Sequence, residues 1–232
     1  MKTNGNTYTV IYTTLVCVLV AAILAVVSQT LKPRQQANEK AETVRQILAA
    51  AGYGDTGTMS NASVIDLYKE NIEEALLIDN FGKVVGSLDC REAEVYSTSQ
   101  LKEQNYNVKE GKPLAIPVYC FKNKINVLAI YGAGLWGPVW GYISVDNTGD
   151  TIEGAYFDHE SETPGLGGKI KDDPAFRASF RGKDVGDGFD SGFVDAISGA
   201  TMTSKGLETA IQNWMRVYTY WMWPRTLEWG EY

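Results

Sequence analysis

Residues 114–159 read LAIPVYCFKNKINVLAIYGAGLWGPVWGYISVDNTGDTIEGAYFDH. Four short runs stand out in it: LAIPVYCF, INVLAIYGAG, VWGYISVD and TIEGAYFDH. Each is rich in Val, Ile or Tyr, and turn residues separate them. β-branched and aromatic side chains suit a pleated surface, and short connections join antiparallel neighbours. The stretch therefore predicts an antiparallel meander.

Upstream, EALLIDNFGKVVGSL (74–88) reads as a further hairpin around Asn80-Phe81-Gly82. Residues 60–73 read as a short helix, and the polar stretch 90–112 as a helix and a loop. Between Pro33 and Gly52, Ala41, Val44, Ile47, Leu48 and Ala51 recur at helical spacing, and Gly52 is a stop signal. Downstream, residues 160–192 are rich in Gly, Pro and Asp and read as loop, with one short helix near 174–180. From about Thr203 the chain is helical again. Leu207, Ala210, Ile211, Trp214, Val217, Tyr218 and Trp221 form one apolar stripe there. Helices around an antiparallel sheet define an α+β domain.

The N-terminus is different. From Tyr8 to Ser28, YTVIYTTLVCVLVAAILAVVS, no residue is charged. That is about the ~20 residues that cross a bilayer as one helix. A cleaved signal peptide has a shorter apolar core of about 7–15 residues, and the Ala25-Val26-Val27 region matches a small-x-small cleavage site poorly. The expected organisation is an N-terminal segment, 1–34, with an anchor at about 8–28, followed by one domain over 35–232.

Composition narrows the chemistry. The formal net charge of −7 argues against nucleic-acid binding, which needs a basic face. The single histidine, His159, leaves no poly-histidine zinc centre. Three scattered cysteines, Cys17, Cys90 and Cys120, make neither a zinc ribbon nor a C-x-x-C pair. Asp184, Asp187 and Asp190 are spaced loosely like calcium ligands but do not match the D-x-D-x-D-G loop. No metal is expected.

Three motifs could carry chemistry. Asp195-Ala196-Ile197-Ser198-Gly199-Ala200-Thr201 directly precedes the last helix. Small residues, backbone N–H groups and the helix dipole favour a phosphate there, with hydroxyls from Thr201, Thr203 and Ser204. The same residues also read as an ordinary N-cap turn. The second is His159-Glu160-Ser161-Glu162-Thr163-Pro164-Gly165-Leu166-Gly167-Gly168-Lys169. Its glycines present Leu166 on a close-approach backbone suited to a flat apolar ligand, and Lys169 could offset a negative charge. A plain surface loop is the alternative. The third is Tyr131-Gly132-Ala133-Gly134-Leu135-Trp136-Gly137-Pro138, where Trp136 could stack on an aromatic cofactor or fill the core beside a bulge.

Taken in order, GAGLWGP, HESETPGLGGKI, FRGK (180–183) and DAISGATMTSKG resemble the FMN-binding domain of membrane redox complexes. With one N-terminal membrane helix, the chain resembles the C-subunit family of sodium-translocating NADH:quinone oxidoreductases. The sharp motifs lie within 131–206. The resemblance implies an electron-transfer flavoprotein subunit, a relay rather than the NADH site, within a complex that couples electron flow to Na⁺ export. It implies FMN joined by a phosphoester to Thr201, with Asp195, Ser198, Gly199 and Ala200 as recognition residues. Thr203 lies just past that motif. Glu162, Thr163, Gly165, Leu166 and Gly167 would line the flavin, beside Trp136 and Lys169. The implied partners are the other subunits, a flavin transferase and membrane lipid. The G-type subunit of Rnf ferredoxin:NAD⁺ oxidoreductases shares the ETPGLG and SGAT runs but is less similar at Leu135-Trp136, and an anchored non-redox binding domain is a third reading. Ala178-Ser179 stand where the family usually has a glutamine-bearing helix. The Lys and Arg residues after the anchor favour a cytoplasmic domain, whereas the resemblance implies a bacterial inner-membrane protein with a periplasmic flavin domain. Large domains cross despite flanking charge.

Overall fold

The computed structural model describes residues 5–54, 56–186 and 192–223. Lys2, Asp187 and Asp190 lie outside the described residues. The chain divides into a first unit ending at Lys40 and a second beginning at Ala41.

The first unit is the exposed part of helix α1, which spans Asn6–Ala50. It contains a stretch long and apolar enough to cross a membrane, with none of that stretch buried. Sequence reading starts a new helix after Pro33, but α1 runs through it. Proline lacks the N–H that would reach the carbonyl of Gln29. Its ring also crowds that carbonyl, at a cost of about 3 kcal/mol, yet the helix is continuous across it.

In the second unit, α1 continues with Ala41, Val44, Ile47 and Leu48 buried. Gly52, at φ +83, ends it, and Tyr53 N–H reaches back to the Leu48 carbonyl. Helix α2, Asn61–Asn71, starts at Ser60, whose hydroxyl accepts from Ser63 N–H. Strand β1 (Ile72–Ile78) turns at Asp79-Asn80-Phe81-Gly82 into β2 (Val84–Ser87), as the hairpin reading expects. Helix α3, Thr98–Glu110, opens with a capping box of Ser97 and Gln100 and closes on Gly111 in the left-handed region.

The meander follows as β3 (Ile116–Phe121), β4 (Asn126–Ala133), β5 (Pro138–Val145) and β6 (Ile152–His159). All neighbours are antiparallel, in one six-stranded sheet of order β2-β1-β3-β4-β5-β6. The fold is the α+β architecture expected. Every residue of β3, and Val127 through Gly132 of β4, is buried. Because side chains alternate between faces, both faces of the sheet's centre are covered.

Short helices α4 (Lys169–Asp172) and α5 (Pro174–Ala178) lead towards α6, Thr201–Met222. The apolar stripe of α6 buries Leu207, Ala210, Ile211, Trp214 and Tyr218. It lies on β4 at backbone distance. A Cβ at Gly132 would meet Ala210, and one at Gly206 would meet the Ala133 carbonyl. The Tyr218 hydroxyl anchors the stripe on the Pro117 and Ala129 carbonyls at 2.9 and 3.0 Å.

Candidate functional site

The three motifs lie on three different elements, and the fold brings them together. The first is the β4–β5 turn. Ala133 pairs with Pro138, and Gly134 N–H donates to the Gly137 carbonyl at 2.8 Å. This tight turn holds Leu135 and Trp136 outward, Trp136 at 69% exposure. Trp136 is therefore not a core tryptophan.

The second is the loop after β6. It is tied to the turn by Glu160 N–H on the Pro138 carbonyl (3.1 Å) and by the Ser161 hydroxyl on the Trp136 carbonyl (2.9 Å). The Thr163 carbonyl accepts from the N–H groups of Leu166 and Gly168, at 3.1 and 3.0 Å. Gly165, at φ +75, turns the chain between them. His159 is structural: its Nδ1 accepts from Glu162 N–H at 3.2 Å.

The third is the run leading into α6. Sequence reading offers three hydroxyls here, and the structure separates them. Ser204 is buried. Its hydroxyl accepts from Ile197 N–H at 3.1 Å and bonds the Ala200 carbonyl at 3.2 Å, so it fixes the run itself. Thr203 is buried and donates to Glu162 Oε2 at 2.6 Å. Thr201 is exposed at the first helical position. No side chain caps this helix start at Ala200, so its backbone N–H groups are left for an anion. Gly199, at φ +78, lies under Leu166: a Cβ there would sit 2.9 Å from Leu166 Cδ2.

Glu162 is where the three segments meet. Its Oε1 accepts Trp136 N–H at 2.8 Å while Oε2 accepts Thr203. Burial by itself raises its carboxyl pKa. The Thr203 hydroxyl and the N–H groups of Trp136, Leu135 and Gly137 outweigh that and hold it below the ordinary glutamate value. Gly167 is buried against this pair, since a Cβ there would meet Glu162 Oε2 and Thr203 Oγ1.

Lys169, Asp195 and Ser198 meet elsewhere, lining a groove of about 290 Å³ with Asp173, Phe176 and Ser179. Sequence reading assigns Lys183 only to the FRGK run. In the structure its Nζ donates to the Phe193 carbonyl at 2.6 Å, lies over the Phe180 and Phe193 rings, and stands 3.6 Å from Asp195. The spacing of Phe180 and Lys183 carries that signal. Ser179, the second residue of the Ala178-Ser179 pair, donates its hydroxyl to the Phe176 carbonyl. Among the described residues no group of three His, Cys, Asp or Glu side chains could share a metal ion.

An uncapped helix start, an exposed threonine hydroxyl on it, and exposed Leu135, Trp136, Leu166 and Met202 on the adjoining segments suit one kind of ligand. It bears a phosphate at one end and a flat apolar ring at the other. These residues fit FMN.

That defines the class, and comparison with known proteins agrees: the FMN-binding domain family matches residues 134–216. The chain is 31% identical to the C-subunit of the Na(+)-translocating NADH-quinone reductase of Pasteurella multocida, covering 91% of this chain and 89% of that protein. It is 28% identical to the corresponding C-subunit of Haemophilus ducreyi over the same shares of the two chains. The crystal structure of the Parabacteroides distasonis C-subunit superposes with a TM-score of 0.66 at 31% identity, over 83% of this chain and 96% of that one. Shewanella oneidensis NqrC gives 0.62 at 25%, over 80% and 97%. The chain belongs to the C-subunit (NqrC) family of Na⁺-translocating NADH-quinone reductases.

Proposed function

We propose that this chain is the electron-carrying flavoprotein subunit of an inner-membrane NADH:quinone oxidoreductase that couples electron flow to Na⁺ export, with FMN joined by a phosphoester to Thr201. The observation that carries this reading is the exposed Thr201 hydroxyl at the uncapped start of α6. A phosphate on that hydroxyl would sit at the positive end of the helix dipole. Bound FMN would supply one- and two-electron transfer.

The remaining residues take roles from their exposure. Asp195, Ser198 and Gly199 are exposed, as residues read by a flavin transferase must be, while Ala200 is buried and sets the helix start. Trp136 and Leu166 offer apolar surface to the ring. Thr163, Gly165 and Gly167 shape the loop that carries Leu166. Half-buried Lys169 offsets negative charge in the groove it shares with Asp195 and Ser198. Glu162 and Thr203, both buried, act from behind this surface. We place the domain, 35–232, on the periplasmic side, anchored by about residues 8–28 in lipid and assembled with the subunits that bind NADH and conduct Na⁺.

The test is intact-mass and peptide mapping of the full chain co-expressed with a flavin transferase. The parent should carry FMN on the peptide containing Thr201, and Thr201→Ala should be dark in a denaturing gel. A parent with the bare-sequence mass, or a variant as fluorescent as the parent, would sink the attachment. Phosphatase and GFP fusions at Tyr232 test the side: a fluorescent GFP fusion with inactive phosphatase would reverse it.

A further inference from the structure

A loop glutamate ordinarily points into water. Glu162 is 4% exposed, and the donors it receives are neutral. It receives Trp136 N–H on one oxygen at 2.8 Å and the Thr203 hydroxyl on the other at 2.6 Å. Its own N–H is spent on His159 Nδ1. The space around it is reserved as well. A Cβ at Gly134 would lie 2.5 Å from Oε1, and one at Gly167 would meet Oε2. A carboxylate is acceptor-only, so every inward-pointing donor finds a lone pair and none is opposed by another N–H. Thr203 stands two residues beyond Thr201, within the same helical turn.

We infer that Glu162 is the positioning residue of the site: it locks the Trp136 turn to the first turn of α6 and so fixes where the Thr201 hydroxyl stands relative to the Leu135–Trp136 surface. What is positioned rests on the flavin reading above. The clamp itself is a property of the flavin-free chain.

The experiment uses the full chain in detergent, with and without a co-expressed flavin transferase. Parent, Glu162→Ala, Glu162→Gln and Thr203→Val are compared by amide exchange, and by the rate of flavin incorporation per folded chain. In the flavin-free Glu162→Ala chain the Trp136 amide should exchange at least about tenfold faster, while β4 and β5 core amides keep their protection. Flavin incorporation should slow by about ten- to a hundredfold, since a misplaced acceptor of that order costs as much. Thr203→Val should slow it less, because the Trp136 bond survives. Glu162→Gln should fall between parent and Ala, because one carbonyl oxygen remains. Parent-like exchange at Trp136 together with parent-like incorporation in Glu162→Ala overturns the inference. So does a loss of protection spread evenly through β4 and β5, which is general destabilisation. If Glu162→Ala does not fold, Glu162→Gln carries the same two readouts, and parent-like values overturn the clamp. A parent that takes up no flavin defeats the functional reading instead, leaving the clamp to be decided by Trp136 exchange alone.

Discussion

Asp158 and Glu162 stand four residues apart around the end of β6, and both are buried, at 5% and 4% exposure. They are satisfied by opposite means. Lys171 Nζ lies 2.9 Å from each oxygen of Asp158. Gln46 from the end of α1 adds an amide donor at 2.8 Å, and its own oxygen accepts the Trp140 indole N–H at 3.3 Å. This group ties α1, β5, β6 and α4 together. The donors on Glu162 are neutral and directional. One site depends on a counter-charge, the other on shape and hydrogen-bond direction. Substitutions that respect shape but not charge should therefore separate them.

The largest expected effect is Asp158→Ala. It leaves the Gln46 amide buried without its acceptor and Lys171 without its counter-ion. The loss should be about 3 kcal/mol, read as a lower urea midpoint for the full chain in detergent. A loss under about 1 kcal/mol would mean that water replaces the carboxylate. Next is Lys171→Met, which leaves Asp158 with only neutral donors and so imitates the arrangement around Glu162. Lys171 is 38% exposed, so the cost of removing it is discounted to about 1–2 kcal/mol. A neutral result would show that neutral donors suffice at Asp158 too, and the contrast would collapse.

The contrast also shows what sequence can carry. The meander was legible because its cause is local: each strand is a short run rich in Val, Ile or Tyr between turn residues, and Val127, Ile143 and Phe157 are buried within those runs. The stripe of α6 was legible for the same reason. Extending that stripe back from Leu207 by three and four residues reaches Ser204 and Thr203, so their inward facing was readable in principle, as was the outward phase of Thr201. The partners of Glu162 were not readable. Trp136 and Thr203 are 26 and 41 residues away, and no spacing rule connects a loop to a turn and a helix start at those separations. Gly134, Gly167 and Gly206 announced close approach, but not to which atom. Pro33 misled because proline disfavours a helix interior without forbidding it, and α1 runs on through it.

Glu162→Gln is the smaller and sharper probe. The new amide can turn its oxygen to the Trp136 N–H, and its NH₂ can face Thr203, whose hydroxyl is able to accept as well as donate. The Leu135 and Gly137 donors are served less well. The expected cost is about 1 kcal/mol in the same urea titration. Asp158→Asn, by contrast, strands Lys171 and should cost more. If the two amide variants lose the same stability, the distinction between charge-held and direction-held carboxylates is wrong.

The smallest effect is on pH dependence. Despite burial, the donors around Glu162 hold its carboxyl below the ordinary range. Its contribution is therefore fully present above the unfolded value, roughly 4.3, and is lost as pH falls through the folded value. Asp146 shifts the same way: the Thr148 hydroxyl and the Thr151, Asp150 and Gly149 N–H groups outweigh its burial. The acid limb thus has at least two sources, and Glu162→Gln should flatten it without abolishing it. Lys171 works on the other side. Burial lowers its pKa, but the bond and charge of Asp158 raise it further, to a net value above the ordinary lysine range. That contribution is present below roughly 10.4 and is lost as pH rises through the folded value. Buried Tyr119, Tyr142 and Tyr218, all pushed up mainly by burial, add to the same alkaline loss. Glu162→Gln should therefore leave the alkaline limb as in the parent and alter only the acid one. A stability–pH profile that moves on the alkaline side would mean the two carboxylates are coupled through the His159 segment between them.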